Sequence, residues 1–478
     1  MASLFMNERR SHRPHVRLNL DQAFSRVTGA SLTDGNAVRL LSDARENYPA
    51  WLDALKAAEH RIFFENYMFA EDEVGEQFAN VLAERARAGV KVYLIRDWLG
   101  SYPVSSRHLW NRLEAAGVQL RCYNPPRLDK PLAWIGRDHR KMIAIDGRVA
   151  FIGGLCVSAK WLGKPEQGVD PWRDTAVEIR GLAVADAERA FAEIWRAMGP
   201  PLRDDELTDK TDFRAEGEVA LRVIATAPNV AGLFRLDQLV AAAAKRTLWL
   251  TDAYFVGFTP DVQALRAAAA DGVDVRLLVP NSTDIPFVRL LSRAGYKPLL
   301  EAGIRVFEWN GSMLHCKTAV ADAHWVRIGS SNRNLASFLG NYELDVAIED
   351  HAFGQAMHHA YEADLENSTE IVLGRGKRVL SSPGIHMPRQ AKGRGAPVAA
   401  VGAVRIAAAV GAAIKNRRQL GGADRTVALG AAAVCLSVSV LAVVAPRVLA
   451  YPIAAAALWF SVSLFWGAAS SSGKGPRH

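Results

Sequence analysis

The sequence has few cysteines, and their spacing suits neither a disulfide scaffold nor a zinc site. Its 478 residues include only Cys122, Cys156, Cys316 and Cys435, with no Cys-x-x-Cys pair. This pattern favours a reduced protein body that faces the cytoplasm. The N-terminus is basic but lacks the apolar stretch of a secretory signal, so no such signal is expected.

The length and charge of the chain limit the number of domains and the kind of partner that we expect. A chain of 478 residues exceeds one ordinary core, so we expect two globular domains or one duplicated body with appendages. Hydrophobic residues make up 50% of the sequence, which is enough for a large core. The net charge of +8 indicates an anionic partner, either a lipid surface or nucleic acid, and charge alone does not choose between them.

Two stretches predict an α/β fold. Residues 54–101 and 238–280 each read as helix, apolar strand, amphipathic helix and strand. In both, an Ala-rich helix runs into Gly89 or Gly272, which favour a left-handed cap before the next strand. We therefore expect two similar halves, each a mixed β-sheet flanked by helices, packed about a pseudo-twofold axis.

A repeated motif supports this duplication. The stretch "HRKMIAIDGRVAFIGG" starts at residue 139, and "HCKTAVADAHWVRIGSSN" covers residues 315–332. Both have the order His, Lys and Asp, followed at the same distance by a Gly-containing turn. Two copies favour an internal duplication over coincidence. The motif residues are His139, Lys141 and Asp146 in the first half and His315, Lys317 and Asp322 in the second.

The motif residues suit the chemistry of a phosphodiester. In an extended segment residues i and i+2 point the same way, so each His shares a face with its Lys. One neutral His can attack phosphorus while the other, protonated, gives its proton to the leaving alcohol. The two Lys would stabilise the charge on phosphorus, and Ser330, Ser331 and Asn332 could add hydrogen bonds to the same oxygens. The scheme needs no cofactor, and neither motif has metal-ligand spacing, so metal independence is expected.

Carboxylates are expected to fix the tautomer of each His. The candidates are Asp174 and Glu343, which each follow a motif His by about 30 residues at the entry of an apolar strand expected beside the motif strand. Ordinary surface acids at a strand edge are the alternative for both. Asp146 and Asp322 belong to the motif, but a structural role in anchoring the turn between two strands is favoured for them.

Composition predicts the remaining boundaries. Uncharged stretches at 426–445 and 448–469 are each long enough to cross a bilayer, and Pro446-Arg447 between them favours a transmembrane hairpin. Two buried core helices are the alternative. Basic residues on both flanks place the catalytic body in the cytoplasm. The predicted segments are an N-terminal extension (1–35), the two domains (36–203 and 204–372), a basic linker (373–425) whose residues 398–414 could form an interfacial helix, the hairpin (426–469) and a polar tail (470–478).

The doubled motif resembles the phospholipase D superfamily. From about residue 35 to 371 the order of features is similar to that of the bacterial cardiolipin synthases, including "RDHRKMIAIDGRVAFIGG", "WRDTAVEI" and "GSSNRNLASFLGNYELDVAI". The resemblance implies duplicated phospholipase D-like domains and phosphatidyl transfer between two phosphatidylglycerol molecules, through a phosphatidyl-histidine intermediate and with release of glycerol. It also implies that Asn332 binds phosphate, that Asp174 and Glu343 support the two His and, by analogy, that His139 is the nucleophile.

The sequence departs from this family at two points. The usual Gly-Gly-x-Asn after the first motif reads Gly153-Gly154-Leu155-Cys156, so one phosphate-binding amide is missing. The apparent hairpin is at the C-terminus, which is similar to the B-type synthases that lack an N-terminal pair of membrane helices.

Three other functions compete with the transferase. A phospholipase D hydrolase shares the first half-reaction, and only the second nucleophile differs. A nuclease would use the same double motif, but the hairpin and the basic linker beside it favour a lipid substrate over nucleic acid. A non-enzymatic membrane scaffold would not need both intact motifs. We therefore expect a phospholipid substrate, an anionic membrane as partner and a place on the cytoplasmic side of the bacterial inner membrane.

Overall fold

The computed structural model describes most of the chain before residue 382. It covers residues 15–102, 104–126, 136–209, 212–374 and 379–381, together with 451, 458, 459, 461 and 462. Most of the linker and hairpin predicted at 373–425 and 426–469, and all of the tail, lie outside the described residues. Within the described part, no helix combines the length and the apolar character that crossing a membrane requires.

The first half alternates helices and strands, as the sequence predicts. Helix α1 and the start of β1 fall within the predicted N-terminal extension. In chain order the elements are α1 (His15–Thr28), β1 (Thr33–Ser42), α2 (Asp43–Lys56), β2 (Arg61–Asn66), α3 (Glu73–Arg87), β3 (Lys91–Asp97), α4 (Trp98–Ser101), α5 (Arg107–Ala115), β4 (Gln119–Tyr123), β5 (Lys141–Ile145), β6 (Val149–Gly153), β7 (Thr175–Gly181) and α6 (Val184–Ala197).

The second half repeats this order from β8 onward, which confirms the predicted duplication of an α/β unit. Its elements are β8 (Val219–Thr226), α7 (Gly232–Ala243), β9 (Thr247–Asp252), α8 (Thr259–Ala270), β10 (Asp274–Pro280), α9 (Pro286–Leu300), β11 (Arg305–Trp309), β12 (Lys317–Ala321), β13 (Trp325–Gly329), β14 (Glu343–Glu349), α10 (His351–Glu366), β15 (Ser368–Leu373) and β16 (Val379–Ser381).

Local sequence explains where the repeated helices begin and end. The Asp72 carboxylate caps α3 by accepting hydrogen bonds from the amides of Val74 and Gly75. Gly89 and Gly272 follow α3 and α8 with φ angles of 95° and 90°, so the predicted left-handed caps are confirmed. Both turns send the chain directly into a strand, β3 or β10.

The strands of the two halves join into one sheet rather than forming two separate sheets. Its order is β16-β15-β11-β10-β9-β12-β13-β14-β8-β1-β7-β6-β5-β2-β3-β4. The halves meet where the equivalent strands β1 and β8 pair antiparallel. Antiparallel pairing of equivalent strands relates the halves by an approximate twofold axis. The expectation of one sheet per half is therefore wrong, because the edge strand of each half is completed by its counterpart.

The core shows that the halves depend on each other. One cluster packs α2, α3 and α5 on the first half, and another packs α7, α8 and α9 on the second. A third cluster draws on both halves and includes Phe63, Val177 and Phe191 together with Val326 and Val346. Its burial stabilises the association of the halves, because separating them would expose this apolar surface.

The second half contains a buried ionic network that the first half lacks. The Arg333 guanidinium pairs with Asp237 at 2.8 Å and with Asp261, and Arg327 pairs with Asp345 at 3.1 Å and with Asp237 at 3.3 Å. The first half has buried apolar residues at the matching positions, counted from the motifs for Arg327 and Arg333 and taken from the strand pairing for Asp345. Phe151, Val157 and Ala176 stand there in place of Arg327, Arg333 and Asp345.

Candidate active site

The two motifs meet at one edge of the sheet. His139 and Lys141 lie at the start of β5, where Lys141 is opposite Asn66 at the end of β2. Lys317 at the start of β12 is opposite Asp252 at the end of β9 in the same way. Both His and both Lys are at most 5% exposed, so the site is shielded from bulk water.

Each His contacts a carboxylate from the other half. The Nδ1 atom of His139 lies 2.9 Å from Glu343 Oε2, and Nδ1 of His315 lies 2.8 Å from Asp174 Oδ2. The predicted acids are therefore in the site, but the expected strand neighbours are wrong, because β6 and β13 lie between the motif strands and the strands that carry the acids. Because Nδ1–H donates to the carboxylate, Nε2 is the unprotonated nitrogen of each ring in its neutral form.

Two short parallel β-bridges fix these crossed pairs. The amide of His139 donates to the carbonyl of Tyr342 at 2.9 Å, and the Tyr342 amide donates to Arg137 at 2.8 Å. On the other side, the amide of His315 donates to Arg173 at 2.7 Å, and the Arg173 amide donates to Met313 at 2.8 Å. Each motif His is thereby bonded to the residue that precedes its acid.

The surroundings of the two carboxylates differ. Glu343 accepts hydrogen bonds from Ser330 Oγ at 2.6 Å and from Asn341 Nδ2 at 3.3 Å. Asp174 accepts one from Trp161 Nε1 at 2.8 Å. A Cβ atom at Gly154 would lie 2.2 Å from the Asp174 carboxylate, so the first half has no room for an equivalent of Ser330.

A buried guanidinium binds the main-chain carbonyl of each acid. Arg140, which follows a motif His, donates from Nε to Glu343 O at 3.1 Å, and Arg173, which precedes its acid, donates to Asp174 O. The two Arg thus make the same kind of contact from non-equivalent positions in the sequence. Both also link the first half to the second half. Their further partners are the carbonyls of Ala190 and Thr226 for Arg140, and the carboxylates of Asp43 and Asp364 for Arg173.

Burial sets the charge of the Lys and His side chains. It lowers the pKa of Lys317 to about 8 and also lowers the pKa of Lys141, although carboxylates oppose both shifts. Each ammonium donates to the carbonyl of its motif His. Burial and then the charge of Lys317 lower the pKa of His315 to about 4, so this imidazole is neutral at pH 7.

Aromatic rings that the sequence reasoning missed surround the His side chains. Tyr67 lies 4.9 Å from His139 between ring centroids. Trp161, Trp172 and Tyr254 lie 5.3, 5.8 and 5.9 Å from His315. Tyr67 and Tyr254 follow β2 and β9, and the two Trp precede Asp174 in the sequence. These positions could have pointed to the site only if the catalytic edge of the sheet had been known, because isolated aromatic residues are usually core residues.

Asp146 and Asp322 do not belong with the reacting groups. Each lies at the far end of its motif strand, with a positive φ of 54° or 52°. Their carboxylates accept main-chain amides at 2.7–2.9 Å. Grouping them with the catalytic residues is therefore wrong, and the turn-anchoring role is the one that the geometry supports. The amides are those of residues 59–61 for Asp146 and 245–247 for Asp322.

The turn after the second motif has one residue suited to contact phosphate. The hydroxyls of Ser330 and Ser331 donate to Glu343 and Asp345, so they support carboxylates rather than point at a substrate. Asn332 is 5% exposed, and its side-chain Nδ2 is a donor from which a phosphoryl oxygen can accept. Cys156 takes the equivalent place in the first half and is also buried.

The described residues contain no group of three or more His, Cys, Asp or Glu side chains that could hold a metal ion. The groups that the site does bring together are two imidazoles, two carboxylates and two ammoniums. Such a set supplies a nucleophile, a proton donor and cations around one small anion, which is what phosphoryl exchange requires.

Comparisons with known proteins agree with this chemistry. The family model described as "Cardiolipin synthase, PLD-like domain" matches residues 51–195 and 239–365. The chain is similar to the cardiolipin synthase of Alkalihalophilus pseudofirmus, with 33% identity over 337 residues, 70% of this chain and 67% of the relative. The cardiolipin synthase of Geobacillus thermodenitrificans is 35% identical over 342 residues, 71% of this chain and 68% of the relative.

The fold is similar to a solved structure as well. A phosphatidylserine synthase from Haemophilus influenzae superposes with a TM-score of 0.58 and 13% identity, over 74% of this chain and 92% of that chain. At this identity the similarity concerns the fold, and the site must be argued from the residues themselves.

Proposed function

The chain belongs to the family of cardiolipin synthases with phospholipase D-like domains, and from this premise we propose that it transfers a phosphatidyl group between two phosphatidylglycerol molecules. The observation that carries the proposal is the crossed pairing of His139 with Glu343 and of His315 with Asp174. Each pair binds its imidazole through Nδ1, so that Nε2 is the nitrogen assigned to the chemistry, and a buried Lys lies two residues after each His.

The first step forms an enzyme-bound phosphatidyl group. The neutral Nε2 of one His attacks phosphorus of the donor lipid, so a P–N bond forms as the P–O bond to glycerol breaks. The other His, protonated, gives its proton to the departing glycerol oxygen. Lys141, Lys317 and the amide of Asn332 stabilise the negative charge that builds up on the phosphoryl oxygens.

The second step transfers the group to the acceptor. A hydroxyl of the second phosphatidylglycerol gives its proton to the His that acted as acid and attacks phosphorus. The P–O bond of cardiolipin forms as the P–N bond breaks, and both His return to their starting protonation states. Water in place of the lipid hydroxyl would give phosphatidic acid, so exclusion of water from this buried edge favours transfer.

The structure provides an argument for which His attacks. With a pKa of about 4, His315 is already neutral at pH 7 in the free protein, which is the form that a nucleophile needs. The family analogy points instead to His139. Rapid quenching at alkaline pH followed by peptide mass spectrometry distinguishes the two, because the phosphatidyl adduct is expected on the peptide with His315, and an adduct on His139 would reverse the roles.

The membrane is part of the same proposal. The uncharged stretches 426–445 and 448–469 and the basic residues that flank them support attachment to the bacterial cell membrane with the catalytic body on the cytoplasmic side. Attachment raises the local concentration of a lipid substrate, and the anionic headgroups suit a chain with a net charge of +8.

A lipid turnover assay tests the activity. The full chain is incubated with phosphatidylglycerol vesicles and a metal chelator, and lipids and free glycerol are measured by mass spectrometry. Cardiolipin with an equal amount of glycerol is expected. The His315→Ala variant should lose turnover, whereas His359→Ala, at an exposed position on α10, should keep it.

The other products define the alternatives. Phosphatidic acid without cardiolipin would make the protein a hydrolase. Turnover that disappears with the chelator would contradict the metal-free scheme. Absence of any lipid product would direct the same assay to other phospholipid donors and then to DNA.

A further inference from the structure

Exposed apolar side chains gather at the edge of the sheet that carries the motifs. Among the described residues before 375, large hydrophobic side chains that are well exposed occur at six positions. Four of them follow strands that end at the catalytic edge, and we call these four the apolar rim. The apolar rim consists of Tyr102 (61% exposed), Val230 (48%), Leu290 (46%) and Leu339 (45%).

On the second half, two rim residues adjoin each other and the site. Leu339 lies in the one-turn helix Ala336–Gly340, between the site residues Asn332 and Glu343. Its carbonyl accepts the amide of Asn229 at 2.9 Å, which brings Val230 beside it. The partly buried rings of Phe234 and Phe258 pack together 5.0 Å apart just behind this position, where α7 and α8 begin.

On the first half, Tyr102 is close to the other catalytic pair. Its ring stacks on Trp98 with centroids 4.6 Å apart. Ser101, the preceding residue, contacts the main chain of Tyr67, and the Tyr67 ring packs against His139 at 4.9 Å. The apolar rim therefore flanks the catalytic edge of the sheet from both halves.

The opposite edge of the sheet has a different surface. Its turns expose charged side chains, among them Glu59, Arg87, Arg148 and Lys245. Two large apolar residues are exposed there, Leu182 after β7 at 37% and Val372 near the end of β15 at 44%. Exposed apolar surface is costly in water, so the larger share of it at the catalytic edge indicates an apolar partner there.

We propose that the apolar rim is the surface by which the folded body rests on the bilayer, with Val230, Leu339 and Tyr102 in contact with lipid hydrocarbon. The inference rests on the proposed function, since a lipid-transferring site must receive its substrate from a bilayer. The uncharged stretches at 426–469 argue for the same partner, because they would hold this chain at a membrane. Exposed charges of both signs lie near the rim, including Lys160, Arg235, Glu71 and Asp284, so apolar contact rather than charge drives the docking.

Paired substrates test this docking surface. Turnover is measured for the full chain with phosphatidylglycerol vesicles and with dihexanoyl phosphatidylglycerol below its critical micelle concentration. The double variant Val230→Ser with Leu339→Ser should lower turnover of the vesicle lipid by at least about tenfold, because two contacts with hydrocarbon are lost. Turnover of the monomeric lipid should stay within about twofold of the wild type, since neither side chain touches the reacting groups. The matched variant Leu182→Ser should leave both unchanged.

Two results would overturn the docking surface. One is vesicle turnover in the double variant equal to that of the wild type. The other is an equal fall with both substrates, since the rim would then act on the fold or on the chemistry.

Hydrogen exchange separates a failure of this inference from a failure of the proposed function. Adding phosphatidylglycerol vesicles to the wild type should slow amide exchange at residues 229–231 and 336–340, with no change at 181–183. This readout needs no turnover, so it stays decisive if the protein proves inactive on phosphatidylglycerol. Unchanged exchange at 229–231 and 336–340 would reject the docking surface.

Discussion

Asn332 and Cys156 occupy equivalent positions after the two motifs, but only Asn332 has a side-chain amide. Both are buried at the catalytic edge, where the Asn332 Nδ2 can donate to a phosphoryl oxygen and the Cys156 thiol is only a weak donor. We therefore expect the second half to bind the transferred phosphoryl group more strongly. Asn332→Ala should lower kcat about 100-fold, the usual effect of removing one stabilising donor, and Cys156→Ala should lower it less than about threefold.

Steady-state kinetics on monomeric phosphatidylglycerol measure this difference, with thermal unfolding as the control for folding. Equal losses in the two variants would contradict it, because the halves would then share the phosphoryl group evenly.

The Lys317 ammonium should set the alkaline limit of activity. Burial lowers its pKa to about 8, so raising the pH through this value removes a positive charge from the site. We expect kcat/KM, which reports the free enzyme, to fall above about pH 8. In Lys317→Arg the side chain stays charged, so the alkaline fall should move upward even if the overall rate is lower. An unchanged profile in this variant would assign the limit to another group.

At the residue scale, the sequence predicted the members of the site better than their partners. The repeated spacing identified both His and both Lys, and position along the chain identified Asp174 and Glu343. The crossing of the carboxylates between halves was not predictable, because it depends on how the halves pack. Arg140 and Arg173 were missed since Arg beside a motif residue is common on surfaces, and only their burial reveals their contacts.

At the scale of elements, the β-bridges that lock the His–acid pairs make a specific prediction. Tyr342→Pro removes the amide that donates to Arg137, and the preceding residue Asn341 is already extended (φ −107°, ψ 157°), as Pro requires. Loss of this buried hydrogen bond should misplace Glu343. We therefore expect kcat of Tyr342→Pro to be about tenfold lower than kcat of Tyr342→Ala, which loses only the aromatic ring. Kinetics and thermal unfolding of the two variants measure the effect, and equal activity would show that the bridge does not position the acid.

The order of helices and strands was readable from apolar periodicity, whereas the continuous sheet was not. Each half has the alternation of an independent α/β unit, and nothing in β1 or β8 marks it as the junction. Their antiparallel pairing is decided by tertiary packing, since an open strand edge gains hydrogen bonds from any suitable partner. The left-handed caps at Gly89 and Gly272 were predictable because they depend on one residue type.

At the scale of the whole molecule, neither half should work alone. Both His need a carboxylate from the other half, and one core cluster is shared between them. If the chain is cut after Asp209, in the connection between α6 and β8, we expect each fragment alone to be inactive and the two produced together to recover turnover. Copurification and the lipid assay measure this outcome. Activity in a single fragment would contradict the crossed site, unless that fragment formed a homodimer by gel filtration.

The ionic network around Arg333 makes the two halves differ in how easily their sequences can change during evolution. Val157 and Phe151 in the first half touch apolar neighbours, so single exchanges of similar size cost little there. In the second half, loss of Arg333 would leave Asp261 as a buried charge without its ion-pair partner and Asp237 with Arg327 alone, so a single exchange in this network carries a penalty. The first half can therefore drift one residue at a time, while this part of the second half can change only through coupled substitutions, so that epistasis rather than catalysis keeps its charges in place.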